Sequence, residues 1–388
     1  MSPLARVLLA GVSTRAQAAS AIRAGHSVAA VESFSDLDHP AAPNLISLEH
    51  DLRVRFSAAR AAEAARSLEA PVACYAAGFE NDGAAVAELA RGRDLWGNPP
   101  AILARVRNPL LLRRALVAAG LPSPAARGSI PPPTGKCDWL LKPRRSGGGQ
   151  RIRSWHREEP VPRWGYLQER ISGQPGSLLF VADGRHAVPI ALTRQLIGDQ
   201  RFGASGYRYV GNLVGSAMTP LFPREAELLA AAVRIAEVVT RAFGLIGVNG
   251  VDFMARSGVP YPLEVNPRWT GAMEVAERAY GLPLFEWHRE SCAGRLPAFL
   301  LSEARRRGQV EGKAIVFARR ALVAGDTARL LGSDWVADLP RPGDRIKAGH
   351  PICTVFATGG DESATVRGLL AAQQRFLLRT RSLRERAA

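Results

Sequence analysis

The chain has 388 residues, which is too long for one typical core and fits two or three packed domains. Hydrophobic residues make up 47% of it, and no apolar run approaches the roughly 18 residues of a membrane span. The formal net charge is +16, but only four of the 51 basic residues are lysines, and the arginines are spread along the whole chain. A nucleic-acid footprint would be clustered on one element, so the composition argues against nucleic acid and is compatible with small anionic ligands.

The cysteines and the first residues indicate a compartment. Cys74, Cys137, Cys292 and Cys353 are far apart, with neither disulfide-like nor metal-like spacing. The apolar run at 6–12 is too short for the core of a signal peptide. We therefore expect a protein of the reducing cytoplasm without a membrane partner.

The first 98 residues alternate between strand-like and helix-like segments. Strands alternating with helices of this length are typical of a parallel sheet, so we predict a Rossmann-like α/β domain. The turn after the first strand lacks G-x-G-x-x-G, which argues against a nicotinamide cofactor. The predicted order is strand 4–12, a helix capped by Ser13 or Thr14 and ending near 24, strand 27–32, a helix near 57–69, strand 72–75 and a helix near 83–91.

The middle of the chain has a different pattern. Prolines between 99 and 133 surround a helix at 109–119, and further on Asp183-Gly184 is a strong hairpin signal. Clustered antiparallel strands with helices indicate an α+β domain. The predicted elements are strands 139–142, 166–171, 177–182 and 187–192 and a helix at 223–243. Residues 310–388 add a small β-rich unit with a strand at 352–357 and a final helix near 362–380.

Three oxygen-bearing side chains lie in two runs that flank a turn. Val251-Asp252-Phe253 precedes the turn 256–258 and Leu263 to Arg268 follows it, which predicts a β-hairpin. Because side chains alternate faces along a strand, Asp252, Glu264 and Asn266 would share one face, while Leu263 and Val265 would face the core. Carboxylates beside phosphate oxygens are how proteins hold Mg²⁺, so the hairpin is a candidate metal site. A hairpin with a solvated outer face is the alternative.

A glycine-rich loop, Ser146-Gly147-Gly148-Gly149, follows the rare lysine Lys142. Glycines let a backbone approach an anion closely, but a Walker A loop has its lysine after the glycines. The order here fits a flap over phosphates that a strand lysine reaches from one side, and a mobile surface loop is the alternative. Downstream, residues 168–171 could present their backbone to a purine edge, although an ordinary buried strand is the simpler reading of that segment alone.

The order of these features resembles the ATP-grasp superfamily over residues of about 100–295. It is similar to the carboxylate–amine ligase branch, in which an α/β domain precedes the grasp fold. The resemblance implies an α/β plus α+β protein of three parts. These are a Rossmann-like pre-ATP-grasp domain at 1–98, an ATP-grasp domain at 99–300 with its flap near 142–150 and its metal hairpin at 246–268, and a small C-terminal β-rich domain with a terminal helix at 310–388.

The same resemblance implies a role for each matching residue. Lys142 would contact the α- and β-phosphates of ATP, and Arg107 stands where many relatives have a second phosphate-binding lysine. Arg268 would face the transferred phosphoryl group or the carboxylate that receives it. The flap would consist of Ser146, Gly147, Gly148 and Gly149, the adenine site of Gln168, Glu169, Arg170 and Ile171, and the site for Mg²⁺, with Mn²⁺ as an alternative, of Asp252, Glu264 and Asn266.

The implied reaction is formation of an acyl phosphate that an amine converts to an amide, without a protein nucleophile. The substrates would be a small carboxylate and a small amine. The chain also resembles ATP-grasp proteins found with one-carbon cofactor genes in methylotrophs, akin to tyramine–glutamate ligases, which makes glutamate ligation to a methanofuran-type precursor a hypothesis. Alternatives are bicarbonate activation as in biotin carboxylases, although no Met-Lys-Met biotin site occurs, and a nucleotide-binding regulatory protein or a nucleic-acid binder. Residues 310–388 would serve packing or homodimerisation.

Overall fold

A computed structural model of the protein describes residues 4–128, 138–156, 159–306 and 308–380. Among the residues with a sequence-based expectation, residues 1–3, the prolines at 131–133, Cys137 and the last eight residues of the C-terminal unit lie outside these ranges. Among the described helices, none has the length and apolar character that crossing a bilayer requires.

The N-terminal part is an α/β unit, as predicted. It contains β1 (Arg6–Ala10), α1 (Arg15–Arg23), β2 (Ser27–Glu32), β3 (Leu45–Ser47), α2 (Ala58–Ala64), β4 (Val72–Tyr75), α3 (Gly83–Leu89) and β5 (Asp94–Leu95). The strands form a parallel sheet in the order β3-β2-β1-β4-β5. The strand residues Val7 to Ala10 are fully buried, because helices cover both faces of the sheet.

The start of α1 differs from the expected cap. Thr14 occupies the N-cap position but makes no side-chain hydrogen bond to the helix. Its hydroxyl and its backbone N–H both donate to the carboxylate of Glu32, at 2.7 and 2.6 Å. The Thr14 hydroxyl is therefore oriented towards the buried carboxylate at the end of β2 and does not cap the helix.

The middle of the chain forms a large antiparallel sheet. Its strands are β10 (Gln174–Asp183), β11 (Ala187–Ile197), β12 (Tyr209–Val214), β13 (Ile246–Arg256), β14 (Val259–Asn266), β15 (Val310–Phe317), β17 (Val336–Ala337) and β19 (Pro351–Gly359). They lie in the order β14-β13-β10-β11-β12-β15-β19-β17. We call this the central sheet.

The two faces of the central sheet have different partners. One face packs its apolar side chains, such as Phe180 and Phe253, against α6 (Glu225–Phe243) and α10 (Glu362–Thr380). The other face packs against α7 (Gly271–Tyr280) and α8 (Leu284–Cys292) and continues into the core of the N-terminal sheet. On this second face a strip of polar side chains interrupts the apolar core, and the candidate site lies there.

A second, smaller sheet carries the predicted flap. It consists of β6 (Ala126–Arg127), β7 (Trp139–Pro143), β8 (Arg153–Ser154) and β9 (Gly165–Glu169), in the order β6-β9-β7-β8. Leu141, Trp155 and Leu167 form its own small core. The helices α4 (Pro100–Val106) and α5 (Pro109–Ala118) connect the N-terminal unit to this sheet.

The C-terminal residues are β-rich and end in a long helix, as expected. Their main strands, however, are not a separate sheet: β15 pairs with β12, and β19 pairs with β15. The remaining short elements are α9 (Leu301–Ala304), the strand pair β16 (Leu322–Val323) and β18 (Arg345–Ile346), and 3-10 helices at Ala42–Asn44, Ala65–Ser67, Gln200–Phe202 and Ala328–Leu330. The domain limits at 98, 300 and 310 stay predictions.

Candidate active site

A cleft of about 650 Å³ lies between the small sheet and the central sheet. It is lined by the flap, by the end of β9, by the strands of the predicted hairpin and by the N-terminal end of α7. The predicted site residues in its lining are Arg107, Lys142, Ser146, Gly147, Gly148, Gly149, Glu169, Arg170, Ile171, Asp252, Glu264, Asn266 and Arg268.

The hairpin has the expected turn and the expected polar face. Ser257 and Gly258 both have positive φ, at 52° and 79°, and join β13 to β14 as a two-residue turn. Asp252 lies directly opposite Glu264 in the strand pairing. The Asn266 side-chain amide donates to Asp252 Oδ2 at 2.9 Å, so the three polar groups meet on one face.

One part of the hairpin pattern is different. Val265 is buried in the core, as expected, but Leu263 lines the cleft. The cause is an irregularity in the pairing: Asp252 opposes Glu264 and the next residue, Phe253, opposes Pro262, so Leu263 is the extra residue of a β-bulge. Strict alternation of faces fails at that position.

Electrostatics at the hairpin favour a bound cation. Burial, and then the neighbouring charge of Glu264, raise the pKa of Asp252 to about 7. The Gln195 side chain donates to Asp252 Oδ1 at 2.9 Å and holds it in place. A divalent cation between two carboxylates would remove the repulsion that raises this pKa, and Mg²⁺ takes only one or two carboxylates beside phosphate and water. The donor set therefore fits Mg²⁺, although no group of three His, Cys, Asp or Glu side chains suited to a metal occurs among the described residues.

Arg107 connects the hairpin to the flap. Its Nη1 donates to Glu264 Oε2 and to the Val265 carbonyl, both at 3.0 Å, and its Nη2 donates to the Ser146 carbonyl at 3.1 Å. The side chain of Arg107 is therefore held in the cleft by Glu264 and by two backbone oxygens, and its contact with a phosphate stays a prediction.

Lys142 lies inside the cleft without an ion pair of its own among the described residues. Only 8% of the residue is exposed. Desolvation lowers the pKa of its ammonium group, and the charges of Glu264 and Asp252 only partly offset this effect. A bound polyphosphate would supply the counter-charge that the buried ammonium group lacks.

The flap is closed onto the rest of the molecule. The Asn81 side chain donates to the Ser146 carbonyl at 3.3 Å, beside the bond from Arg107. At the other end, the backbone N–H of Tyr209 donates to the Gly148 carbonyl at 3.2 Å. Gly149 has φ +75°, and a Cβ on it would lie 1.7 Å from the Tyr207 carbonyl oxygen, so only glycine permits this contact.

Gln168 is placed differently from its neighbours on β9. Its side chain is buried and donates from Nε2 to the Leu263 carbonyl at 3.1 Å, and it does not belong to the cleft lining. The Glu169 side chain also makes a backbone bond, accepting from the Ala125 N–H at 2.9 Å. The Gln168 side chain thus connects β9 to the bulge of the hairpin. A contact between the backbone of Gln168 and a nucleotide stays a prediction.

Arg268 follows the polar face of the hairpin and is 9% exposed. Its Nη2 donates to Glu80 Oε1 at 2.6 Å and to Asn266 Oδ1 at 3.2 Å, and its Nη1 donates to the Trp269 carbonyl at 3.0 Å. Its Nε and the Thr270 hydroxyl are buried and have no hydrogen-bond partner among the described residues. These two groups can bind an anionic or carbonyl oxygen of a ligand.

Several cleft residues were missed by sequence reasoning. Gln195, Tyr209 and Asn212 line the cleft but lie outside the predicted strands. Glu80 and Asn81 of the N-terminal unit are not in the lining, but they contact the cleft residues Arg268 and Ser146. The Tyr209 hydroxyl donates to Asn212, and the Asn212 amide donates to Thr193 at 2.7 Å. For Glu80 and Asn81 one signal was available: they follow β4, and ligands of parallel sheets bind beyond the carboxyl ends of the strands.

Comparison with known proteins agrees with this architecture. Residues 106–272 match the family described as ATP-grasp domain. An uncharacterized protein of Methanocaldococcus jannaschii is 31% identical over 124 residues, a match that covers 31% of this chain and only 28% of that protein.

Two solved structures show the fold over nearly the whole chain. The L-amino acid ligase of Bacillus licheniformis has a TM-score of 0.67 at 14% identity and covers 96% of this chain and 98% of its own. The biotin carboxylase domain of 2-oxoglutarate carboxylase from Hydrogenobacter thermophilus, solved with MgADP and bicarbonate, has a TM-score of 0.68 at 15% identity and covers 96% and 90%. The matched residues 106–272 contain both the flap and the hairpin, and the chain has an ATP-grasp fold.

Proposed function

We propose that the protein is an ATP- and Mg²⁺-dependent ligase that activates a carboxylate as an acyl phosphate and joins it to an amine. The observation that carries this proposal is the meeting of three cations with a carboxylate–amide face in one cleft under a glycine flap. Two of the cations, Lys142 and Arg268, are buried, and Arg107 is partly buried. The cations are Arg107, Lys142 and Arg268, and the face consists of Asp252, Glu264 and Asn266. Cations on one side and metal-binding oxygens on the other suit a triphosphate that carries its own metal ion.

In this proposal each end of the cleft has its own task. Asp252, Glu264 and Asn266 would hold Mg²⁺, which screens the phosphate charges when bound. Lys142 and Arg107 neutralise the phosphates from the flap side, while Arg268 and the Thr270 hydroxyl orient the carboxylate that accepts the phosphoryl group. The flap excludes water, which would otherwise hydrolyse a reactive acyl phosphate.

The reaction balances without a protein nucleophile. A carboxylate oxygen forms a bond to the γ-phosphorus as the bond from that phosphorus to the bridging oxygen breaks, and ADP leaves. The amine then attacks the acyl carbon, the bond from carbon to the phosphate oxygen breaks, and the amine loses a proton. The products are an amide, ADP and inorganic phosphate.

Glutamate ligation to an amine on a methanofuran-type cofactor precursor remains our specific substrate hypothesis. The basic side chains in the cleft lining, Arg107, Lys142, Arg144, Arg170 and Arg268, support an acidic substrate. The unpaired thiols of Cys74, Cys292 and Cys353 are in keeping with a reducing cytoplasm, which we also propose. A homodimer stays a prediction.

The test is turnover with ATP, Mg²⁺ and panels of carboxylates and amines, with ADP, AMP and phosphate measured separately. ADP and phosphate that appear only when both co-substrates are present are the expected result. AMP with pyrophosphate would contradict the acyl-phosphate route. A bicarbonate arm without amine serves the carboxylase alternative, since ADP formed there would favour it over the ligase.

A further inference from the structure

A buried carboxylate from the N-terminal unit contacts Arg268, which marks the end of the cleft where we propose that the reaction takes place; we call it the reaction end. Glu80 lies in the turn between β4 and α3 and is 2% exposed. Its Oε1 accepts the bond from Arg268 Nη2 at 2.6 Å, and its Oε2 accepts a bond from the Gly78 backbone N–H at 2.6 Å. Both carboxylate oxygens are thus engaged, one with the turn and one with the arginine.

Glu80 and Arg268 form an ion pair in the folded protein. Burial by itself raises the pKa of Glu80, but the charge and hydrogen bond of Arg268, followed by the charge of Arg107, outweigh burial, so the net pKa lies below its usual value. Removing one member of such a pair would leave the other charge buried and uncompensated.

The geometry also limits what Arg268 can do. A long arginine side chain has many rotamers, and a planar guanidinium group recognises a carboxylate or phosphate only in a fixed orientation. Here Nη2 is fixed by Glu80 and Asn266 and Nη1 is fixed by the Trp269 carbonyl, while Nε has no partner in the described part of the chain. Nε of Arg268 therefore stays available to a substrate, because Glu80, Asn266 and Trp269 already hold Nη1 and Nη2.

We infer that Glu80 is a positioning residue that holds the guanidinium of Arg268 in the orientation that the phosphoryl-transfer step requires. This inference rests on the proposed ligase function for its catalytic readout. The orienting contact comes from a different part of the chain than the arginine itself, so the reaction end of the cleft is complete only when the N-terminal unit is docked. Asn81, the next residue, makes the corresponding contact to the flap through the Ser146 carbonyl.

The competing explanation is that the pair only joins two parts of the protein. A matched control exists for it: Glu277 on α7 is 6% exposed, accepts from Arg23 of α1 at 2.6 Å, and lies outside the cleft lining. Glu277→Gln also removes a buried carboxylate from a contact between the N-terminal unit and the rest of the chain, but it leaves Arg268 untouched.

The experiment compares Glu80→Gln, Glu80→Asp and Glu277→Gln with the wild type in kcat, KM, thermal unfolding and MgADP affinity. For Glu80→Gln we expect kcat to fall by roughly 10²-fold, because a displacement of about 1 Å at a reacting group costs this much. MgADP affinity should stay within about twofold, Glu80→Asp should recover part of kcat, and Glu277→Gln should keep the wild-type kcat. Equal losses of kcat in Glu80→Gln and Glu277→Gln would overturn the inference.

A double-mutant cycle with Arg268→Lys tests whether Glu80 acts through the arginine. If it does, adding Glu80→Gln to Arg268→Lys causes little further loss of kcat, because residues that act as a unit are not additive. A full additional 10²-fold loss would contradict a positioning role.

Crystal structures separate this inference from the proposed function. If no carboxylate and amine pair supports ADP formation by the wild type, the ligase proposal fails, but wild-type and Glu80→Gln crystals with MgADP still report on Arg268. We expect the guanidinium to leave its wild-type position in Glu80→Gln. An unmoved guanidinium in that variant would refute the inference whatever the activity is.

Discussion

The side chains of the cleft are held in an arrangement that is costly without a ligand. Asp252 and Glu264 are direct neighbours on paired strands, and their proximity contributes to the raised pKa of Asp252. Lys142 is buried with its pKa lowered, a few residues from a flap that brings no carboxylate of its own. Like charges close together and a buried, unpaired ammonium group are features typical of binding sites, where a ligand supplies the missing charge.

Glu264→Gln tests the metal face at the scale of one atom. The side chain of Glu264 is 37% exposed, so the amide should leave the melting temperature within a few degrees of the wild type. The substitution removes one of the two carboxylates that we propose bind Mg²⁺, and we expect kcat for ADP formation to fall by roughly 10²-fold or more. Glu227→Gln, which alters an exposed ion pair at the other end of the hairpin, is the control and should behave as the wild type. Normal turnover in Glu264→Gln would show that the metal assignment is wrong.

Lys142→Met tests the phosphate contact. Methionine fills a similar volume and relieves the burial of an ammonium group, so stability should be retained or improved. Loss of a charge-assisted hydrogen bond worth about 1.5–3 kcal/mol should weaken ATP binding by roughly 10- to 100-fold, measured by calorimetry with MgATP. Lys347→Met changes another of the four lysines, at an exposed loop position, and should bind normally. Unchanged affinity in Lys142→Met would remove this residue from the nucleotide site.

At the scale of elements, the flap offers a pair of glycines that differ in one respect. Gly148 and Gly149 both have positive φ, at +63° and +75°, so alanine strains the backbone at either position. A Cβ on Gly149 would collide with the Tyr207 carbonyl, whereas a Cβ on Gly148 would meet nothing within 4 Å. Gly149→Ala should therefore raise the KM for ATP by at least tenfold more than Gly148→Ala does.

Limited proteolysis gives this prediction a readout apart from turnover. With MgADP bound, trypsin should cut the Gly149→Ala flap, next to the exposed Arg145 and Arg151, faster than it cuts the flap of Gly148→Ala. Identical cleavage rates in the two variants would mean that the contact with the Tyr207 carbonyl does not hold the flap closed.

The same elements show what a sequence pattern can provide. The hairpin, its turn and the shared face of Asp252, Glu264 and Asn266 follow from alternation and turn chemistry, which are local. The bulge at Leu263 and the buried orientation of the Gln168 side chain cannot be derived from local patterns, because each depends on the other. The Gln168 amide donates to the carbonyl of Leu263, the extra residue of the bulge. A contact between strands 95 positions apart has no local signature.

Across the whole molecule, the contacts that complete the site come from distant parts of the chain. The helices and strands of the N-terminal unit were predictable, but not that its Glu80 and Asn81 would reach Arg268 and the flap. Asn98 is similar: its side chain accepts from the Ile246 N–H at 2.9 Å and donates to the Pro267 carbonyl at 3.1 Å, so it holds both ends of the hairpin. The pairing of β15 with β12 is also non-local, since about 100 residues separate the two strands and turn chemistry cannot specify their pairing.

A buried histidine allows docking of the N-terminal unit to be tested by pH. His288 on α8 accepts from the Val248 N–H at Nδ1, at 3.0 Å, so Nε2 carries the proton and donates to the Trp96 carbonyl at 3.2 Å. This neutral ring joins α8, β13 and the end of the N-terminal sheet. Burial lowers the pKa of His288 to about 4, against about 6.5 in an unfolded chain.

The sign of the pH effect follows from these two values. Below pH 6.5 the unfolded chain takes up a proton at His288 that the folded protein refuses, so the contribution of the histidine is complete above pH 6.5 and is lost as the pH falls to about 4. Glu32 and Glu277, whose pKa values burial raises to about 7, titrate in the opposite sense, so the stability of the wild type alone cannot isolate the effect. The contributions of those two groups cancel in the difference in unfolding free energy between the wild type and His288→Gln, which urea denaturation measures. We expect this difference to be largest at pH 7–8 and to shrink by on the order of 3 kcal/mol towards pH 4. His350→Gln, at an exposed loop position, controls for the substitution itself, and a difference for His288→Gln that stayed constant from pH 8 to pH 4 would show that the ring is not held neutral between the two units.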